Sequence, residues 1–462
     1  MFKRTLMAAA VAGLFSTSAY AVTEADWAAM KEEIRQMKAD YEARIAELES
    51  RVKAAEAKAA VAEDRAVEAQ TRAQAETPGP VQKGFNPDIS LILQGRYANM
   101  EDLDERHLTG FLPAGHEHGA KRGFSIDHTE LAMSANVDRL FKGYANLALI
   151  DEEVEVEEAW FQTLALGNGF SLKGGRFLSA LGYQNEQHPH AWDFADNNLV
   201  YKALFGESYG QDGLQIKWVA PSDLFIEPFV EISRGSAFPG TDRNINGAGA
   251  VTAGVHVGGD VGTSNSWRAG VSYLTTKAED RGFDGHDAAD VEVLGAFSGK
   301  SKTWLADMVW KWAPDGNARE RNLKFVAEYF RRDESGTLDC DDADPLSPSA
   351  CTGGVSGPYE SDQSGLYAQA VYQFMPQWRV GYRYDRLWRG DVDFNGADIG
   401  AVIASLADHD PTRHSVMLDW SPSEFSLLRL QYSKDRSMDG QDENQWLLQY
   451  VLSLGAHGAH KF

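Results

Sequence analysis

The chain has 462 residues, 68 acidic against 44 basic side chains, a formal net charge of −24 and 43% hydrophobic residues. That balance excludes a nucleic-acid binder, which needs a basic footprint to displace phosphate counterions. No apolar run reaches the 18 residues or so that a membrane-spanning helix requires. The length alone would accommodate two or three soluble domains, whereas 43 glycines and 11% aromatics suit one large all-β barrel.

Residues 1–21 read as a secretory signal, with Lys3 and Arg4 before an apolar stretch from Leu6 to Phe15 and Ala19-Tyr20-Ala21 as the cleavage site. From Val22 to Glu76 the chain is rich in Ala, Glu, Lys and Arg and contains no Pro or Gly. Trp27, Met30, Ile34, Met37, Tyr41, Ile45, Leu48 and Val52 recur at spacings of three and four, and the stripe continues in alanines to Ala73. Such a stripe predicts a coiled coil at 22–76, here expected to be periplasmic and to make a homotrimer. Two successive fours at Met37, Tyr41 and Ile45 mark a stutter. Pro78-Gly79-Pro80 ends the helix, and 77–84 is a linker.

Beyond Phe85 the period becomes two. Ile89, Leu91, Leu93 and Tyr97 alternate with Ser90, Gln94 and Arg96; Val380, Tyr382 and Tyr384 with Arg379, Arg383 and Asp385; Leu428, Leu430 and Tyr432 with Arg429, Gln431 and Ser433. Long strands with one apolar face, ending in aromatics such as Trp304, Trp310, Trp312, Phe374 and Trp378, predict an outer-membrane antiparallel β-barrel over 85–462. About 16–18 segments fit the length. Trp446, Leu448, Tyr450, Leu452, Leu454 and Phe462 share one parity, and a terminal Phe on such a strand resembles the signal read by the barrel assembly machinery.

Cys340 and Cys351 lie close together in a polar segment of an exported chain, so a disulfide is expected. The barrel portion carries a net −23, and an acidic lumen would concentrate cations. Within Asp151 to Glu158, the residues Asp151, Glu153, Glu155 and Glu157 would share one strand face and line the pore as a ladder, with Val154, Val156 and Trp160 on the other. Paired imidazoles among carboxylates suit zinc and other borderline divalent ions. The candidates are His116 and His118, and above all the segment with His188, His190, Asp193 and Asp196. No serine-hydrolase or metalloprotease motif occurs, so the chain is not expected to be an enzyme and no resident cofactor is required.

The stretch Val156-Glu157-Glu158-Ala159-Trp160, then Gly175-Arg176-Phe177, Gly182 to Asp196 and the ending Leu454 to Phe462 resemble outer-membrane proteins labelled zinc-regulated TonB-dependent receptors. The resemblance covers most of the barrel and implies zinc-linked uptake in a Gram-negative outer membrane. The coil-plus-barrel layout is similar to that of phosphate-selective porins. TonB-dependent receptors carry a plug domain before a barrel of about 22 strands; here a coil occupies that place, and a passive porin-like channel fits the length. The rival expectation is a non-conducting barrel that anchors the coil to the cell wall.

Overall fold

The computed structural model describes residues 31–32, 35–36, 38–39, 87–103, 106–113, 121–150, 153–394, 396 and 399–455. Of the expected coil, only Lys31, Glu32, Arg35, Gln36, Lys38 and Ala39 are described, all helical, with Arg35 Nη1 2.9 Å from Glu32 Oε2. The signal segment, the linker, His116, His118, Asp151 and Phe462 lie outside the described residues. The described residues beyond Gly84 belong to one compact unit.

That unit is a closed antiparallel sheet. β1 (Asp88–Asn99) pairs on one side with the last strand, β17 (Glu443–Gly455), from Ser90↔Gly455 to Asn99↔Trp446. On its other side it pairs with both β2 (Gly123–Ile126) and β3 (Thr129–Asn136). These two are successive lengths of one stave, broken at Asp127 and His128, because Gly95 faces Ile126 while Ile92 faces Glu130. Seventeen strands therefore make a 16-stave barrel in which every stave pairs with its chain neighbour. The sheet has no edge strand, so backbone groups pair within the wall wherever neighbouring strands overlap.

Period-two alternation becomes the two faces of this wall. Trp446, Leu448, Tyr450, Leu452 and Leu454 point outward and are 41–55% exposed, although all are large and apolar. On the neighbouring β16 (Ser426–Arg436), Leu428 and Leu430 are exposed and Arg429, Gln431 and Ser433 are buried. A surface that exposes its leucines and hides its arginines is one matched to lipid. Near the short turns, stacked pairs Phe170 with Trp218 and Trp378 with Trp420 form part of an aromatic belt.

Four strands, β10 (Asn265–His286), β11 (Glu292–Trp312), β12 (Asn322–Asp342) and β13 (Val355–Met375), have 21 or 22 residues each. At roughly 3.4 Å per residue they outrun a hydrocarbon core even when tilted. Cys340 and Cys351 are disulfide-bonded on this raised part, beside a core of Phe297, Leu338, Tyr359, Phe394, Ile399, Ile403 and Leu406. The inner face is not uniformly polar: Leu274, Leu305, Val309, Val326, Phe330, Tyr367 and Leu387 line it on the tall side. Simple alternation predicts a polar lumen, and these residues depart from it because a chain segment folds inward onto them.

Candidate functional site

The inward segment is 179–209, between β6 (Phe170–Leu178) and β7 (Gly210–Trp218). Its ends are stapled by Asn185, whose Nδ2 donates to the carbonyls of Ser179 and Tyr209 and whose Oδ1 accepts from the Tyr209 amide. Its last turn is the helix α1 (Leu199–Phe205). Asn198 caps it, accepting from the Tyr201 amide at 3.0 Å, and Gly206 ends it at φ 66°, a left-handed conformation that glycine adopts without a Cβ clash. Leu199, Val200, Tyr201, Leu204 and Phe205 are buried against the apolar inner wall. Apart from Lys202, which faces the larger cavity, the helix is apolar because barrel wall and loop enclose it.

Before α1 the segment carries carboxylates that meet cations of the opposite wall. Asp193 lies 2.6 Å from Lys324 Nζ and 3.5 Å from Arg379, and accepts from Gln369. Asp196 lies 2.9 Å from Arg383 and 2.8 Å from Arg413, with Gln431 donating to it as well. Burial pushes both carboxyls up, but these cations outweigh burial and hold each below the ordinary aspartate value. Neither aspartate faces a histidine. The expectation that Asp193 and Asp196 join His188 and His190 in one ligand set is thus corrected: two 3-10 turns, Gln184–Glu186 and Pro189–Ala191, send the histidines and the aspartates to different walls.

His188 and His190 instead face β3, β4 (Phe141–Ile150) and β5 (Glu153–Thr163) with their rings stacked, centroids 5.9 Å apart. His188 Nδ1 is 3.1 Å from Glu157 Oε2, and its Nε2 is 3.1 Å from Glu158 Oε2. His190 Nδ1 is 2.7 Å from Glu130 Oε1. His128, in the break between β2 and β3, places Nε2 3.0 Å from Glu157 Oε1 and 3.6 Å from Glu130 Oε1. Asn146 Nδ2 lies within 3.1 Å of Glu130, Glu157 and His188. Burial opposes charge on His188, but the three carboxylates raise its pKa well above the ordinary histidine value.

Three imidazoles and three carboxylates thus converge from loop and wall. The predicted ladder is revised by a bulge in the β4–β5 pairing, where Asn146 faces Glu158 and the next pair is Leu147 with Val156. The extra residue lets Glu157 and Glu158 both reach the cluster, which strict alternation forbids. Glu155 and Glu157 line the same cavity, while Glu153 is exposed at the strand start. The alternation rule passed over Glu158. His128 and Glu130 were also missed, yet they carry a signal, since His-x-Glu at strand spacing places both side chains on one face.

Two cavities open within the barrel, and the cluster borders the larger of them through His128 and Glu157. One, of about 730 Å³, is lined by His128, Glu157, Trp192, Asp196 and Arg413 among others. The other, of about 480 Å³, is lined by Lys173, Glu186, Lys217, Glu227, Trp267 and Arg268 among others. Cations stand among the carboxylates of the interior: Arg332, Arg383, Arg413 and Arg429 are among its most buried side chains. Their carboxylate partners include Glu334, Asp385 and Asp419. Among the described residues the buried carboxylates nevertheless outnumber the buried lysines and arginines.

Fold and site define a membrane-embedded β-barrel with a segment folded into its lumen. No family model matches the chain. It belongs to the same family as a protein of Aquifex aeolicus (strain VF5) described as uncharacterized, 32% identical over 406 residues that span 82% of this chain and 81% of the relative. Among solved structures it is similar to the outer membrane channel DcaP of Acinetobacter baumannii, with 15% identity, a TM-score of 0.49 and coverage of 81% and 99% of the two chains. It is also similar to an anion-selective porin from Comamonas acidovorans, with 8% identity, a TM-score of 0.46 and coverage of 80% and 99%. Identities this low carry nothing about what passes through the lumen.

Proposed function

We propose that the protein is a porin-like channel of a Gram-negative outer membrane that passes small hydrophilic solutes, favours cations and serves divalent-metal uptake, zinc included. The observation that carries this reading is the cluster beside the larger cavity, where Glu130, Glu157 and Glu158 stand among three histidines inside a lipid-matched wall. Carboxylates that border a permeation route lower the barrier for cations and raise it for anions. The coil is proposed to lie in the periplasm and to assemble three copies, and insertion is assigned to the barrel assembly machinery.

The decisive experiment is conductance of the purified mature protein in a planar bilayer under a salt gradient. Discrete steps with a cation-selective reversal potential support the channel; anion selectivity removes the role given to the carboxylates. A second reading, a plugged barrel that anchors the coil to the envelope, is favoured by the apolar packing of α1 against the inner wall. A silent bilayer with a folded barrel would select it.

A further inference from the structure

We infer that His128, Glu130 and Glu157, with His190 beside them, form a binding site for one borderline divalent cation of the zinc class, which stays resident between the inward segment and the wall. The inference deepens the channel reading by assigning the metal to a fixed position, and it rests on that reading only for its effect on conductance.

Three observations carry it. The donor atoms of His128, Glu130 and Glu157 lie within 4.8 Å of one another. Ligand atoms about 2.0–2.2 Å from a shared tetrahedral ion stand about 3.3–3.6 Å apart, a range that the separations of 3.0 Å and 3.6 Å from His128 Nε2 to the two carboxylates bracket. Next, His128 Nε2 is buried and makes no aligned hydrogen bond despite a carboxylate oxygen at 3.0 Å. A nitrogen and an oxygen that close, without an N–H directed between them, are placed to share a third species. Finally, the Asn146 amide nitrogen donates to Glu130 and Glu157 while its own Oδ1 is buried without a partner. A cation held by Glu130 and Glu157 offers that orphaned oxygen a counter-charge.

The donor set is imidazole and carboxylate, which suits zinc and its neighbours better than calcium or magnesium. Both sides of the site are already fixed. The segment is held elsewhere through Asp193, Asp196 and Asn185, and the wall through its ladders. An ion bound in a prepared frame leaves slowly, so the site holds rather than passes its metal. His128 and Glu157 also line the larger cavity, which is the side from which the ion enters.

The test uses tag-free mature protein in detergent, stripped with chelator and titrated with zinc in competition with a chromophoric chelator. The expected result is one zinc per chain, with affinity reduced more than about tenfold in His128→Ala and in Glu157→Gln and unchanged in His414→Ala. X-ray absorption of the loaded protein should give a nitrogen and oxygen shell. Equal zinc binding by wild type and both site variants, or no zinc bound against the chelator, overturns the inference. Folding of each variant is checked by resistance of the barrel to unfolding in detergent; if His128→Ala does not fold, Glu157→Gln and the absorption spectrum decide. In bilayers zinc should lower cation conductance in wild type and not in Glu157→Gln; binding without that difference overturns residence in the permeation route. A silent barrel that still binds zinc refutes the channel reading and leaves the metal site standing.

Discussion

Asp196 concentrates the electrostatics of the inward segment at one residue. Its carboxyl is held below the ordinary aspartate value, with burial opposed by Arg413 and Arg383. A depressed folded pKa gives stability that is complete above the unfolded value and lost as pH falls through the folded one. The hydrogen-exchange protection of residues 192–198 should therefore differ between wild type and Asp196→Asn by a constant amount above about pH 5. The difference should shrink only below about pH 4. A gap that closes between pH 6 and 8 would place the effect on another group. Arg413→Ala leaves Asp196 and Asp385 buried with one cation fewer, which should cost about 3–5 kcal/mol in denaturant unfolding.

At the scale of an element, α1 is too short to persist by itself and exists because its apolar surface is enclosed. Leu204 has no exposed area, so Leu204→Ala should cost about 2–5 kcal/mol through transfer and cavity terms together. Asn198→Ala removes the cap and should cost about 1 kcal/mol. The two should rank in that order as increased protease cleavage within 179–209 while the barrel remains intact. If the inward segment limits permeation, Leu204→Ala also widens the single-channel conductance; no change at all would show that the route avoids α1.

For the whole molecule, the exposed apolar exterior requires lipid or detergent. Leu448→Arg, on the outer face, should cost about 2–4 kcal/mol in unfolding from vesicles if it lies near the bilayer midplane. The lumen-facing Ser433→Ala should cost far less. A large loss at Ser433 and none at Leu448 would reverse the assignment of the two faces. Removal of 22–76 should lower the detergent-corrected mass from three copies to one if the coil directs assembly; an unchanged mass assigns assembly to the barrel.

What the sequence determined by itself follows from periodicity, a local property. Alternation in Leu428 to Ser433 and Trp446 to Leu454 was enough to predict the strands and their lipid-facing side, because a side chain's face depends only on its parity along a strand, and the length then gave a barrel of about 16–18 strands. His188 and His190 were legible as a pair among carboxylates for a similar reason. Only the tertiary structure decided their partners, because the bulge at Glu157 and the break at His128 alter parity locally, and the inward fold of 179–209 sets residues over 20 positions apart against one another. The same fold sent Asp193 and Asp196 to arginines and a lysine across the lumen and filled part of the interior with apolar side chains. Contacts of that kind depend on how the barrel closes, and closure is a property of all 16 staves together.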